Sequence, residues 1–150
     1  MELRRVTAAD EEIYIALAEE FYRSPAVLHP IATSSIRAAF AEICRSDEYL
    51  EAFLIVSDGE TVGYTQLAKT FSQEAGGRVL WIEELYLRPS WRGRGLGTEV
   101  LQWIEREYTP RFKRLRLEAE PANARAMSLY AKLGYKKLDY VQMIKEYGSG

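Results

Sequence analysis

Hydrophobic positions along the chain fall into two periods, and the switches between them mark the elements. Glu2 to Val6 is a short strand pattern, followed by Thr7-Ala8-Ala9-Asp10, which resembles a capping box with Asp in the place of Glu. Ile13, Leu17 and Phe21 then share one helical stripe, with Glu12, Glu19 and Glu20 off it, until Ser24-Pro25 stops the run. A loop carrying His29-Pro30 leads to a cap at Thr33 or Ser34, and Ile36, Phe40 and Ile43 give a second amphipathic helix. Asp47 to Glu51 reads as polar connector. Phe53 to Val56 and Thr61 to Ala68 read as strands joined by an Asp58-Gly59 turn, and Gln73 to Gly77 as a second turn.

An apolar, aromatic stretch follows, from Leu80 to Leu87, with Glu83 and Glu84 as its only charges. Neighbours in a strand point to opposite faces, so the spacing predicts that the two carboxylates cannot both face one reaction site. Pro89 ends this strand. Leu96, Val100, Leu101, Trp103 and Ile104 recur at helical spacing up to Tyr108, and Pro110 stops the run. Arg114 to Ala119 alternates as a strand. Pro121 and Asn123 then precede a helix with Ala126, Leu129, Tyr130 and Leu133, closed by Gly134 at C′. Tyr135 to Ile144 has mixed β character and is predicted to return to the sheet. The order β-α-α-β-β-β-α-β-α-β predicts an α/β (α+β) fold in one domain over residues 1–150. Its sheet is mixed and mainly antiparallel, flanked by about four helices.

Composition narrows this picture only a little. At 150 residues, 47% hydrophobic and 28% charged, the chain can build a full core without metals or disulfides. A net charge of −2 gives no bulk attraction to nucleic acid. The single cysteine, Cys44, excludes an intrachain disulfide and a cysteine-based metal cluster; beside Phe40 and Ile43 it is expected to be a buried, inert thiol. His29 is the only histidine, and no G-x-S-x-G elbow supplies a serine for it. Neither a signal peptide nor an apolar run of membrane-spanning length is present, so a cytoplasmic protein with no membrane partner is expected. Gly148-Ser149-Gly150 reads as a frayed tail.

The chemistry gathers at Arg92-Gly93-Arg94-Gly95-Leu96-Gly97. Glycines let successive N–H groups point into one concavity, and the helix that follows adds unpaired N–H groups and its positive dipole end. With Arg92 and Arg94 this suits a phosphate. It is not a P-loop, because Gly97 is followed by Thr98 with no lysine. Nor is it a dinucleotide fingerprint, because the last glycine position falls on Thr98.

The same loop matches the Q/R-x-x-G-x-G/A acyl-CoA loop of the GNAT superfamily of N-acetyltransferases. Asn123, Leu129-Tyr130 and Leu133-Gly134-Tyr135 match its second block, in the right order, and the element order fits the whole chain. Within the superfamily, Ile82 to Tyr86 followed by Trp91-Arg92-Gly93 looks most like diamine and polyamine acetyltransferases. The resemblance implies transfer of acetyl from acetyl-CoA to a small-molecule amine by direct attack. The CoA pyrophosphate would rest on Arg92, Gly93, Arg94, Gly95, Leu96, Gly97 and Thr98, and the pantetheine arm would run beside Leu85 and Leu87. Asn123 matches a position that commonly contacts CoA. No metal is implied, and members often form homodimers.

An alkyl ammonium has a pKa of about 10.4, so an acceptor amine must lose a proton before it attacks. By family spacing Glu83 matches the general base, leaving Glu84 to hold a cationic substrate or to pair with an arginine. Tyr130 matches the tyrosine that protonates the departing thiolate. The backbone N–H of Leu85 is the expected oxyanion donor. Substrate selection is expected from Phe21 to Thr33, with Glu19, Glu20, Tyr22 and His29 as candidate lining residues. A protein N-terminus, a lysine side chain or an aminoglycoside are alternative acceptors, and an acyl-CoA sensor without turnover is the alternative of another class.

Overall fold

Five strands form one sheet in chain order: β1 (Glu2–Arg5), β2 (Leu50–Ser57), β3 (Glu60–Ser72), β4 (Gly77–Leu87) and β5 (Arg114–Leu117). This computed structural model describes residues 1–148, so Ser149 and Gly150 of the expected tail lie outside the described residues. The first four strands pair antiparallel and β5 lies parallel to β4. A parallel neighbour requires a crossover, which α3 (Leu96–Tyr108) supplies. The helices α1 (Glu11–Tyr22) and α2 (Thr33–Arg45) pack Leu17, Ala18, Ile36 and Phe40 against Leu54 and Tyr64 on one face. On the other face Val100, Leu101 and Ile104 of α3 meet Ile55, Leu67 and Leu80. Leu129 and Leu133, in and just after α4 (Ala124–Lys132), pack on the margin of that cluster.

Local chemistry explains where α1 begins. The Thr7 N–H donates to Asp10 Oδ2 at 2.8 Å, and Arg4 Nη2 donates to Asp10 Oδ1 at 3.0 Å. The Arg4 guanidinium holds the Asp10 carboxyl below its ordinary pKa. A 3-10 turn over Ala8–Asp10 links this cap to α1.

Four expectations need correction. The connector ends earlier than predicted, because β2 starts at Leu50 and Glu51 is buried inside the sheet. Glu51 is acceptable there because Lys69 pairs with it, Arg5 Nη1 donates at 2.7 Å and the Tyr108 hydroxyl at 3.1 Å. Cys44 is exposed, not buried. Ile36, Phe40 and Ile43 form the inward stripe of α2, and the residue after Ile43 is turned about 100° away from it.

Tyr135 to Ile144 does not rejoin the sheet. After Gly134, with φ 89°, the chain leaves without pairing, and Val141, Met143 and Ile144 are 90, 89 and 84% exposed. β propensity produces a strand only where a partner ladder accepts it, and this segment does not lie along β5. The fourth correction concerns Glu83 and Glu84, and it shapes the candidate site.

Candidate active site

β4 and β5 separate early. Their register runs from Val79 opposite Arg114 to Ile82 opposite Leu117 and then ends, while β4 continues to Leu87 with β3 alone beside it. From Glu83 to Leu87 one edge of β4 therefore offers backbone donors and acceptors to something other than protein. Leu85 and Leu87, the residues expected to guide an extended ligand, lie on this overhang.

The separation coincides with a β-bulge. Gln66 lies opposite Glu84, but the next β3 residue, Leu67, lies opposite Ile82, so Glu83 is an extra residue in β4. Strict alternation fails there. Glu83 and Glu84 both line one cavity of about 240 Å³ beneath α1 and α2, with Tyr14, Tyr22, Ser35 and Gln66 among its walls. The prediction that they face apart holds for a regular strand and is overturned by the bulge.

The two carboxylates differ in their surroundings. Glu84 accepts hydrogen bonds from the Tyr22 hydroxyl and from the Tyr64 hydroxyl, the latter at 2.6 Å. Among the described residues no lysine or arginine forms a salt bridge to it. Burial pushes its pKa up, although both phenols oppose that shift. Burial also raises the pKa of Glu83, with the negative charges of Glu118 and then Glu84 adding to it. Glu83 remains open to solvent, as a group exchanging protons with a substrate must be.

Of the residues expected to contact substrate, the cavity brings in Tyr22 and Glu84. Glu20 accepts from Arg88 Nη2 at 3.2 Å and from the Tyr86 hydroxyl at 3.1 Å, fixing α1 to the end of β4. Neither Glu20 nor the exposed His29 is among the lining residues. Gln66 was not anticipated. Its Nε2 donates to the Tyr14 hydroxyl at 2.7 Å and holds one cavity wall in place. Its sequence signal is a polar residue at an inward strand position, which requires a partner once buried.

Past β4, Pro89–Trp91 forms a 3-10 turn, and the loop then takes two left-handed steps, Gly93 at φ 76° and Gly95 at φ 82°. Gly95 is the N-cap of α3, and the first helical bond of that end runs from the Glu99 N–H to the Gly95 carbonyl at 3.1 Å. The N–H groups of Leu96, Gly97 and Thr98 precede it, leaving them to an outside acceptor. Arg94 stacks over Trp91 at 4.5 Å, and Arg92 donates from Nε to the Leu87 carbonyl at 2.9 Å.

Arg125 joins them from α4. Its Nη2 lies 3.1 Å from the point a Cβ on Gly93 would occupy. No salt bridge engages Arg92, Arg94 or Arg125 among the described residues. Arg125 escaped the sequence reading. The available signal was its place one helical turn before Leu129, which packs at Gly97. Asn123 caps α4, its Oδ1 accepting from the Ala126 N–H at 3.2 Å, so its amide NH₂ remains free to donate. Tyr130 is half-buried further along α4, and burial alone raises its pKa.

A sheet opened along one strand, a glycine-rich loop with two arginines at the end of that strand and a carboxylate cavity beside it thus lie together around β4. The acetyltransferase (GNAT) family profile matches residues 11–135. An uncharacterized N-acetyltransferase, YhfO, of Bacillus subtilis (strain 168) is 30% identical over 122 residues, spanning 79% of this chain and 76% of the relative. Thialysine N-epsilon-acetyltransferase of Bos taurus is 35% identical over 63 residues, 41% of this chain and 37% of that protein. Among solved structures, aminoglycoside N-acetyltransferase AAC(6')-Iy in complex with a bisubstrate analogue aligns with a TM-score of 0.79 at 17% identity, over 98% of each chain. The chain belongs to the GNAT acetyltransferase family. It is an N-acetyltransferase, and acetyl-CoA is the donor that family uses. No helix among the described residues is long and apolar enough to cross a membrane.

Proposed function

We propose that this protein, acting as a single cytoplasmic domain, acetylates a primary amine on a small acceptor that carries a second positive charge. One observation carries the reading: Glu84 is a half-buried carboxylate held by two phenols, and among the described residues no lysine or arginine pairs with it. A buried anion left unpaired is costly, so the site favours a ligand that brings the counter-charge. The amine that reacts must become neutral and cannot serve as that counter-charge during attack, which calls for a second cationic group. A cavity of about 240 Å³ favours a short acceptor. The partial match to thialysine N-epsilon-acetyltransferase and the diamine-like stretch from Ile82 to Gly93 support the same class.

Acetyl-CoA supplies the activated acetyl group. Arg92, Arg94, Arg125 and the N–H groups from Leu96 to Thr98 hold its phosphates, and the open edge at Leu85 and Leu87 lines up its arm. Glu83 takes the proton from the reacting ammonium; its raised pKa makes it a stronger base than an ordinary carboxylate. Glu84 anchors the second cation. Tyr130 returns a proton to the thiolate, and the Leu85 N–H donates to the developing oxyanion.

The test is thiol release with matched acceptors: short α,ω-diamines, basic amino acids, monoamines of equal length and an aminoglycoside. The expected result is a dicationic acceptor preferred over its monoamine at least tenfold in kcat/KM, with Glu84→Gln abolishing that preference. Equal rates for the monoamine would overturn the assignment, and a best rate with the aminoglycoside would move the acceptor to that class.

A further inference from the structure

One polar group in the carboxylate cavity has half of its hydrogen bonding unused. Gln66 is 7% exposed and lines that cavity. Its Nε2 donates to the Tyr14 hydroxyl at 2.7 Å, whereas its Oε1 accepts from no group among the described residues. That oxygen is not sealed in, because the Tyr135 hydroxyl is the one fully enclosed side-chain polar atom without a partner among them. Register explains the position. Gln66 of β3 stands directly opposite Glu84 of β4, on the pair where the bulge interrupts the ladder. Opposed residues share one face, with Cβ atoms about 4.5–5.5 Å apart, so one small group can touch both side chains. Each Glu84 oxygen accepts from one phenol and keeps a second lone pair. Ala18, Ile36 and Ala39, which α1 and α2 contribute to the same cavity, offer a cation no acceptor on their side chains.

We infer that Gln66 is a specificity-determining residue for the acceptor: its Oε1 and Glu84 together take N–H groups of the second cation, which is therefore a primary ammonium and not a methylated one. The inference rests on the reaction proposed above, in which Glu84 anchors that cation. A primary ammonium carries three N–H donors, and each methyl group removes one while the charge stays. A carboxylate alone reads charge and takes a methylated cation as well. A neutral acceptor beside it counts donors, because a carbonyl oxygen held against a methyl group loses its hydrogen bond. An amide suits this position for a further reason: a second carboxylate next to Glu84 would be repelled by it and take up a proton. The Tyr14 hydroxyl occupies the amide nitrogen and so leaves the oxygen to the ligand.

The experiment uses the unmodified protein and one diamine scaffold whose far nitrogen is primary, monomethylated, dimethylated or trimethylated, with the monoamine of equal length as reference. Thiol release should show kcat/KM falling along the series, by about tenfold or more from the primary to the trimethylated nitrogen, with the fall in KM and kcat nearly constant. Gln66→Met, similar in size and without the acceptor, should bring the primary compound down to the level of the trimethylated one and leave the latter unchanged. Tyr14→Phe, which frees the amide to turn, should weaken the selectivity in the same direction. Equal kcat/KM for the primary and trimethylated compounds, both above the monoamine, would overturn the inference and leave the charge reading standing. A methylation dependence that survives intact in Gln66→Met would also overturn it, because bulk alone would then explain the series. Equal rates for the diamine and the monoamine would overturn both readings together.

Discussion

The two halves of the sheet are built on different terms. From β1 to β4 every neighbour is antiparallel, and Leu54, Tyr64 and Leu67 are wholly excluded from solvent. From β4 to β5 the ladder is four residues long, every residue of β5 is only half-buried, and one edge is open. Helices cover both halves, so covering does not explain the contrast. Strand pairing does: β2 and β3 have neighbours on both sides, which satisfies the backbone and fixes the core, whereas the end of β4 and all of β5 have a neighbour on one side only, which leaves donors, acceptors and space. Stability resides in the first half, and the candidate chemistry lies on the boundary, where β4 still has one partner and has lost the other.

The contrast is sharpened most by removing Glu83, the proposed base at the boundary. Glu83→Gln should lower kcat by about 10²–10⁴ while leaving the melting temperature and acetyl-CoA binding nearly unchanged. In the parent, kcat/KM should fall as pH drops through the Glu83 pKa, which lies above the ordinary carboxylate range, and the variant should lose that limb. An unchanged pH profile would move the base to Glu84. Next in size, Leu54→Ala should cost about 2–5 kcal/mol in denaturant unfolding, because its site is closed on all sides. Leu117→Ala, half-buried in β5, should cost much less; equal losses would erase the difference between the halves.

Gly95→Val places a β-branched residue at φ 82° and should cost about 1–3 kcal/mol of strain, read as weaker acetyl-CoA binding by calorimetry. The smallest effects are of opposite sign in the two regions. Asp10, whose pKa is lowered chiefly by the Arg4 hydrogen bond, contributes stability above its unfolded value of about 3.9, lost as pH falls through the folded pKa. Glu84, whose pKa burial raises, imposes a cost that grows as pH rises from about 4.3 and is complete above its folded pKa. At neutral pH, therefore, Asp10→Asn should lower the melting temperature by a few degrees and Glu84→Gln should raise it slightly.

The antiparallel half was legible because its signals are local. Asp58-Gly59 marks a two-residue turn, and Ile36, Phe40 and Ile43 mark a stripe. The loop was legible for the same reason: its glycines and arginines are contiguous. Misreadings came wherever a distant partner decides the outcome. Glu51 looks like connector until Lys69, Arg5 and Tyr108 surround it. Cys44 looked buried because its neighbours in sequence are, although its own direction on α2 is outward. Tyr135 to Ile144 has strand composition without a strand to join. Arg125 meets Gly93 only through the packing of α4 on the loop. Tyr22 and Glu84 were named, but their partnership with Tyr64 depends on the register between β3 and β4.

The extra residue in β4 also leaves an arithmetic trace. On the face packed against α3, the inward residues are Leu80 and Ile82, then Leu85 and Leu87. Their parity changes from even to odd as the chain passes Glu83. A reader of the bare sequence who assumes one phase throughout must place one of these pairs in solvent. A reader who allows a single phase slip finds it at the two charges. In a strand of this kind Glu83 is a dislocation: deleting it would restore the regular lattice, join the two phases and leave no cavity with two acids in it.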